Sequence, residues 1–479
     1  MSLKGVTWTL GLLSALFGVG MAAPAMVAFH YHTGHVSHFV LSGSITALIG
    51  LLLMRSTGPA PQKLSHKDGF LIVALAWVIL SCFGAVPFWI TGTCASVMDG
   101  LFESASGMTT TGATILTHLD SQPPSILFWR SMQQWLGGMG IIVLTVAIIP
   151  LLGVGGMQLL RAETPGPIKD KLTARVTETA KVLWSIYLGM TVICALAFWY
   201  AGMSVFDAVN HAMTTLSTGG FSTHDASFGY FHQPALRWIA IIFMFLAGAN
   251  FTLHFASLRR GLPLAIYLRD DEFLAYTKGV LILVVLMALI VIPNHTGRIE
   301  DIVFNVVSII TTSGFAANDY SLWPQGTGLL FLAAMLIGGS AGSTSGGIKV
   351  VRVLLMFRQG MREIGRLIHP HALIPVRLGK RGLSEDMMQA IWGFFALFML
   401  CFGVLAVAVA YTGVDMLTAV SAAAACISNT GPGFGEVGPA SNYAALPDPA
   451  KGILFLGMIL GRLEIFTLFV LIVPRFWRP

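Results

Sequence analysis

Four short segments carry the residues best suited to holding an ion: Thr109-Thr110-Thr111-Gly112-Ala113, Leu216-Ser217-Thr218-Gly219-Gly220, Thr311-Thr312-Ser313-Gly314-Phe315 and Ser428-Asn429-Thr430-Gly431-Pro432. Their glycines Gly112, Gly219, Gly314 and Gly431 lie 107, 95 and 117 residues apart, so one repeating unit fills the chain from residue 69 onward. A Thr/Ser-Gly turn offers carbonyl and hydroxyl oxygens, and glycine permits the backbone angles that align several carbonyls. Four such strands about one axis can replace the hydration shell of a monovalent cation. Divalent-selective pores use rings of carboxylates, and here Glu436 stands alone near the fourth segment, so the oxygen set suits potassium. One copy alone reads better as a helix C-cap, since glycine commonly ends helices. Four copies in register behind half-length apolar segments do not.

Those half-length segments run from Asp99 to Thr110, Asp207 to Ser217, Asp301 to Thr312 and Asp415 to Ser428. At ~1.5 Å per residue each covers only part of a hydrocarbon core about 30 Å thick, so each must enter and turn back. Each opens with an aspartate, read as an N-cap placed against the positive helix end. A full span precedes each short segment and another follows it, near 126–153, 236–257, 328–357 and 451–474. All four units run in the same sense, which makes them parallel repeats about an axis along the membrane normal.

The composition agrees with a membrane protein: 55% of residues are hydrophobic and 10% charged, against roughly a quarter charged in soluble proteins. Ten apolar stretches are counted, starting with 7–29 and 38–54. The first exceeds a usual signal-peptide core and is read as a retained span. Arg55, Lys63 and Lys67, then Arg161, Lys169, Lys171 and Arg175, then Arg259, Arg260 and Arg269, and finally the stretch from Arg352 to Arg381 fall in alternate loops. The opposite loops, near 91–123, 203–235, 295–327 and 412–450, hold only Arg298. The positive-inside rule then puts both termini in the cytoplasm. The net charge of +6 follows from that bias and needs no nucleic acid. Five scattered cysteines imply no disulfide framework. His30, His32, His35 and His38 crowd one outer loop, but no carboxylate or thiol completes a metal site.

The third returning span is interrupted by Gly338-Gly339-Ser340-Ala341-Gly342-Ser343-Thr344-Ser345-Gly346-Gly347. Such a run cannot continue a helix, and a loop at membrane depth must line a cavity or be buried by protein. Arg462 lies eleven residues past Lys451, roughly 16 Å along the last span, where a charge is costly and faces a cavity or a partner. Loop carbonyls, or a carboxylate such as Glu464, would satisfy it in a purely structural role.

With the four signatures, the 338–347 stretch and Gly461-Arg462-Leu463-Glu464, residues 69–479 resemble the TrkH/KtrB family of potassium transport proteins. The extra pair of spans at the start is similar to the TrkH branch. The resemblance implies an all-α polytopic fold of four helix, pore-helix, filter, helix repeats around a central pore: 1–68 the N-terminal pair, then 69–160, 161–262, 263–370 and 371–479. It implies that Thr110-Thr111-Gly112, Ser217-Thr218-Gly219, Thr312-Ser313-Gly314 and Asn429-Thr430-Gly431 coordinate potassium, in a filter irregular enough to admit rubidium. It makes 338–347 a gate obstructing the pore beneath that filter, with Arg462 beside it as an electrostatic barrier. It further implies an inner-membrane homodimer controlled by a cytoplasmic TrkA-like ring that binds nucleotide, some of the arginines after Lys349 touching that ring.

The function expected is a potassium-selective uptake channel or transporter gated by that loop. The alternative is a K+/H+ or K+/Na+ symporter working by alternating access, which needs a membrane-embedded acid that changes protonation. An enzyme has no support, since the chain holds no HExxH, nucleophile elbow or P-loop.

Overall fold

The period of the glycine signatures demands four copies of one helical unit. The computed structural model, which describes residues 2–59, 64–147, 172–261, 263–372, 374–379 and 381–477, contains them. The first helices of the four units are His66–Ile90, Leu172–Tyr200, Asp271–Val291 and Glu385–Tyr411. Each is followed by a pore helix of twelve residues: Val97–Met108, Val205–Leu216, Ile299–Ile310 and Met416–Ile427. Return helices then begin at Pro124, Pro234, Gly326 and Asp448. Lys63, Arg161, Lys169, Lys171, Lys380 and Arg478, the stretch 148–153 of the first return span and the 160/161 boundary lie outside the described residues.

Among the described residues six helices are long and apolar enough to cross a membrane, and eight if each of two bent pairs counts as one span. The chain is a multi-pass membrane protein. Ahead of the repeats, Leu3–Gly20 with Ala22–His30 packs on Val36–Thr57. Small residues set that contact, because a Cβ on Gly18 would strike the Gly43 carbonyl and one on Gly50 the Gly11 carbonyl.

The last seven residues of each pore helix are all buried, as in the run Ser421–Ile427, whereas the first helices of the units leave Leu281, Val285, Val404 and Val407 exposed to face lipid. Their starts differ from the sequence expectation. Only Asp415 is an N-cap, accepting from Leu417 and Thr418 N–H at 3.0 and 3.1 Å. Asp99 and Asp207 sit two residues inside the first helical position, and the hydroxyls of Ser96 and Ser204 cap their N–H groups at 3.0 Å. Asp301 holds the corresponding place after Arg298. The carboxylates still meet the positive helix ends, one turn deeper than a cap.

A second correction concerns the returning spans, of which only the third was expected to break. The second bends by 94° between Ala247 and Phe251, and the fourth by 108° between Arg462 and Phe466. Asn250 restarts the helix by accepting Thr252 N–H at 2.9 Å, and Glu464 and Ile465 take positive φ of 53° and 43° at the other break.

Candidate functional site

Each pore helix ends in the same way. A residue after the C-cap enters the left-handed region, namely Thr110, Thr218, Thr312 and Asn429 at φ 51° to 55°. The next N–H reaches back five residues to the helix, as in Thr111 to Ser106 O at 2.9 Å, Gly219 to Thr214 O at 2.9 Å, Ser313 to Ser308 O at 2.8 Å and Thr430 to Ala425 O at 2.8 Å. A positive-φ glycine follows: Gly112, Gly220, Gly314 and Gly431.

These glycines close a ring. A Cβ on Gly112 would overlap the Gly219 carbonyl, one on Gly220 the Ser313 carbonyl, one on Gly314 the Thr430 carbonyl and one on Gly431 the Thr111 carbonyl. Each repeat thus abuts the next, and the fourth abuts the first. The contact also sets the register. Thr110-Thr111-Gly112 corresponds to Thr218-Gly219-Gly220, so Gly220 takes the place expected of Gly219, and Ser217 is the helix C-cap. Ser217 turns its hydroxyl to Thr214 O at 3.2 Å.

Several buried oxygens around this ring have no protein partner, among them Ser106 Oγ, Thr110 Oγ1, Ser428 Oγ, Asn429 Oδ1 and Thr430 Oγ1. Buried polar atoms are ordinarily satisfied, so an oxygen cluster of this kind fits a hydrated or cation-binding path. Side chains brace the strands from outside the ring: Gln134 Nε2 donates to Gly219 O at 2.7 Å, and Asn429 Nδ2 donates to Thr111 Oγ1 and Met458 O, both at 2.9 Å.

The 338–347 run lies directly under the ring. Its stem pairs back on the end of the preceding helix, through Ile348 N to Leu336 O at 2.9 Å and Lys349 N to Ile337 O at 2.8 Å, and closes on itself through Val350 N to Gly339 O at 2.9 Å. Its far end meets the glycine turns, because Gly346 N donates to Thr312 Oγ1 at 2.7 Å and a Cβ there would overlap Ser428 O. The broken helices hold its sides: Ser340 N bonds Gly248 O at 2.9 Å, and Phe251 N bonds Gly342 O at 3.0 Å. Glu272 Oε1 accepts Ala341 N–H at 2.6 Å. Arg462, 2% exposed, donates to Thr344 O at 2.9 Å and to Gly137 O at 3.1 Å. It therefore ties the loop to the first return helix. Glu464 is not its partner, for that carboxylate pairs with Arg352 at 2.6 Å.

A fourfold ring of glycine turns over an intramembrane loop narrows the comparison to one architecture. The model of the TrkH family, a cation transport protein, matches residues 35–478. The chain belongs to the TrkH family. The proteins described as "Trk system potassium uptake protein TrkH" in Salmonella typhimurium and Escherichia coli K12 are each 46% identical to it over 485 residues, covering 100% of both chains. The Escherichia coli K12 "Trk system potassium uptake protein TrkG" is 38% identical, covering 99% of this chain and 98% of its own. The crystal structure of the potassium transporter TrkH from Vibrio parahaemolyticus matches with a TM-score of 0.92 at 43% identity, covering 100% of each chain.

In this TrkH-family chain several site residues carry no local sequence signal. Arg130 and Glu103 form an ion pair of 2.7 Å that is 1% and 0% exposed. Arg130 also donates to Ser222 O at 3.1 Å and lies 4.1 Å over the Phe221 ring, while Glu103 accepts Ile115 N–H at 2.9 Å. The pair thereby clamps the strand after the first turn to the strand after the second. Removing one partner of a buried pair costs about 3–5 kcal/mol, because the other charge is left uncompensated. Glu103→Ala is expected to lose stability on that scale in thermal melts of detergent-purified protein, and the double variant Glu103→Ala, Arg130→Leu to recover part of it. Two further pairs join one unit's return helix to another's pore helix: Lys451 to Asp99 at 2.6 Å and Arg237 to Asp301 at 2.8 Å.

Above the ring, a cavity of about 80 Å³ is lined by Gly112, Gly220, Gly314, Arg130, His224 and Tyr443, among others. His224 Nδ1 meets Asp120 Oδ1 at 2.5 Å, its Nε2 lies 3.5 Å from Asp207 Oδ1, and its ring stacks on Tyr230 at 3.5 Å. Burial opposes the imidazolium, but the carboxylates of Asp207 and Asp120 outweigh it and raise the His224 pKa. Burial likewise opposes the Asp120 carboxylate, but hydrogen bonds from His224 and the Asp225 N–H lower its pKa. The histidine's contribution to stability is complete below its ordinary pKa of about 6.5 and is lost as pH rises through the raised value. The aspartate's is lost only as pH falls through its lowered value. Thermal stability is expected to decline modestly between about pH 6 and pH 8, and His224→Gln to flatten that slope. An unchanged slope in the variant would remove His224 as its source.

Among the described residues no group of three or more His, Cys, Asp or Glu is set to hold a metal. His35 and His38 meet edge to face at 5.5 Å.

Proposed function

We propose that this chain is a potassium-selective uptake channel of the inner membrane, with both termini cytoplasmic and potassium as the transported substrate. The observation that carries the reading is the closed ring of four glycine turns, each repeat's glycine seated on the next repeat's carbonyl. The coordinating segments are then Thr110-Thr111-Gly112, Thr218-Gly219-Gly220, Thr312-Ser313-Gly314 and Asn429-Thr430-Gly431. Backbone and hydroxyl oxygens would take the place of water around a dehydrating cation. The pore helices aim their C-terminal ends, with their partial negative charge, at the same region.

The loop 338–347 is the gate in this reading, with Arg462 holding it closed. Opening falls to a cytoplasmic TrkA-like nucleotide-binding ring, supported by the Trk system named in the relatives' descriptions, and the assembly is a homodimer. The units are 1–68, 69–160, 161–262, 263–370 and 371–479. A symporter is the second reading, favoured by two acids at the gate, the part-exposed Glu464 and the buried Glu272. The 2.6 Å pairing of Glu464 with Arg352 favours a fixed carboxylate over a proton carrier.

Rubidium flux into liposomes holding the purified protein tests the reading, compared with a chain lacking Gly339 to Ser345. Saturable flux that rises on deletion and ignores an imposed sodium or proton gradient supports the gated pore. Flux that strictly requires such a gradient replaces it with symport.

A further inference from the structure

Lys349 stands where the gate loop joins the second half of the return helix, Val350–Ile368, and it is 6% exposed. Its backbone takes φ 84° and ψ 135°, a conformation that side-chain-bearing residues keep only where their surroundings over-determine it. The surroundings do so here. Lys349 N–H bonds Ile337 O at 2.8 Å, and the stem residues on either side are paired as well. The side chain folds back beneath the loop, and its ammonium donates to the Ser345 carbonyl. Arg462 takes the preceding carbonyl, that of Thr344. Two cations from different helices therefore hold consecutive carbonyls, at the end of the loop whose next residue, Gly346, bonds the filter turn at Thr312. Lys349 and Arg462 share a cavity of about 20 Å³ with Ser345, Gly346, Asn429 and Glu464, directly below the fourth filter turn.

We propose that Lys349 is a second cationic latch of the gate. The inference rests on reading 338–347 as a gate. The ammonium sits where a cation leaving the filter would next find a carbonyl, so it fills that coordination place and repels the arriving ion. Withdrawing the loop frees Ser345 O, and it releases the strained backbone at Lys349 in the same movement. The latch is thus coupled to any displacement of the Val350–Ile368 helix. Lys349 acts through the loop and is a positioning residue.

The test compares rubidium flux in proteoliposomes for the wild-type chain, Lys349→Met, Lys349→Arg and the chain lacking Gly339 to Ser345. A hydrogen bond from a charged donor is worth enough that Lys349→Met is expected to raise flux about tenfold. The half-saturating rubidium concentration and the rubidium-to-sodium preference should stay unchanged, since the filter is untouched. Lys349→Arg should restore most of the restraint. Where Lys349→Met aggregates on gel filtration, Lys349→Gln carries the same expectation. Elevated flux in the deletion with wild-type flux in Lys349→Met overturns the latch and leaves the gate standing. Equal leakiness of Lys349→Arg and Lys349→Met shows that charge is not what restrains the loop, and loss of ion preference in Lys349→Met shows a collapsed filter; either overturns the latch. A deletion that raises nothing overturns the gate itself.

Discussion

Alanine at Gly220 is expected to abolish selective flux, whereas alanine at Gly219 should change it only a few-fold. Gly220 has φ 80°, and its added Cβ would overlap the Ser313 carbonyl and come within 3.1 Å of the Ser313 and Gly314 carbonyl carbons. Those are backbone atoms, and they cannot retreat freely because Gly314 is itself seated on Thr430 O. The left-handed backbone alone costs a non-glycine residue about 1–2 kcal/mol. Overpacking adds about 1–3 kcal/mol, so the conformation of the glycine ring is depopulated at least tenfold. At Gly219 the new Cβ meets only the Gln134 side chain, which can yield at the cost of its hydrogen bonds to Gly219 O and Phe221 N–H while the backbone ring stays in place. Rubidium and sodium flux measured side by side decide the matter. A Gly219→Ala chain that loses ion preference more than Gly220→Ala would return the register to the one expected from the Ser217-Thr218-Gly219 alignment.

That register shows where the sequence was legible and where it was not. The Thr/Ser-Gly period, the half-length helices and the interrupted third span are one-dimensional patterns, and they led to the four-unit fold. A Gly-Gly pair, however, offers two candidates, and the choice is made by the backbone angle and a contact to another repeat. A usable signal was present nonetheless. The third helical residues are Asp99, Asp207, Asp301 and Thr418, and in each unit the ring glycine follows thirteen positions later. Counting from the shared aspartate misplaces only the fourth unit, where Asp415 is the cap.

The helix breaks at 248–250 and 463–465 were hidden for another reason. Hydropathy averages over a window, and a bend of two or three residues leaves the average apolar. Asn250, a capping residue inside an apolar run, and the adjoining Gly248 were the available clues. The ion pairs were out of reach altogether. Lys451 and Asp99 are 352 residues apart, and of the two partners open to Arg462, loop carbonyls or Glu464, the loop carbonyl of Thr344 is the one it meets, while Glu464 pairs with Arg352. Such pairings depend on which helices the ring brings together, which no local pattern encodes.

Arg462→Ala is the second large effect, and its sign is opposite to that of Gly220→Ala. Arg462 contributes two charged hydrogen bonds, to Thr344 O in the loop and to Gly137 O in the first return helix. Each is worth about 1.5–3 kcal/mol. Losing the first detaches the loop, and losing the second removes the anchor against which it is held. On the gate reading the truncation also takes a positive charge out of a low-dielectric path, where it would repel an approaching cation. Some of this gain in the open state is offset, since the closed loop still has Lys349 on Ser345 O and Gly346 on Thr312 Oγ1. A net loss of about 1.4 kcal/mol, less than one such bond, shifts a closed-to-open ratio tenfold. Rubidium flux into proteoliposomes is therefore expected to rise at least about tenfold in Arg462→Ala without loss of preference over sodium, and Arg462→Lys to fall between the two. A fall in flux with unchanged folding would mean that Arg462 supports the open path, and the barrier reading would be abandoned.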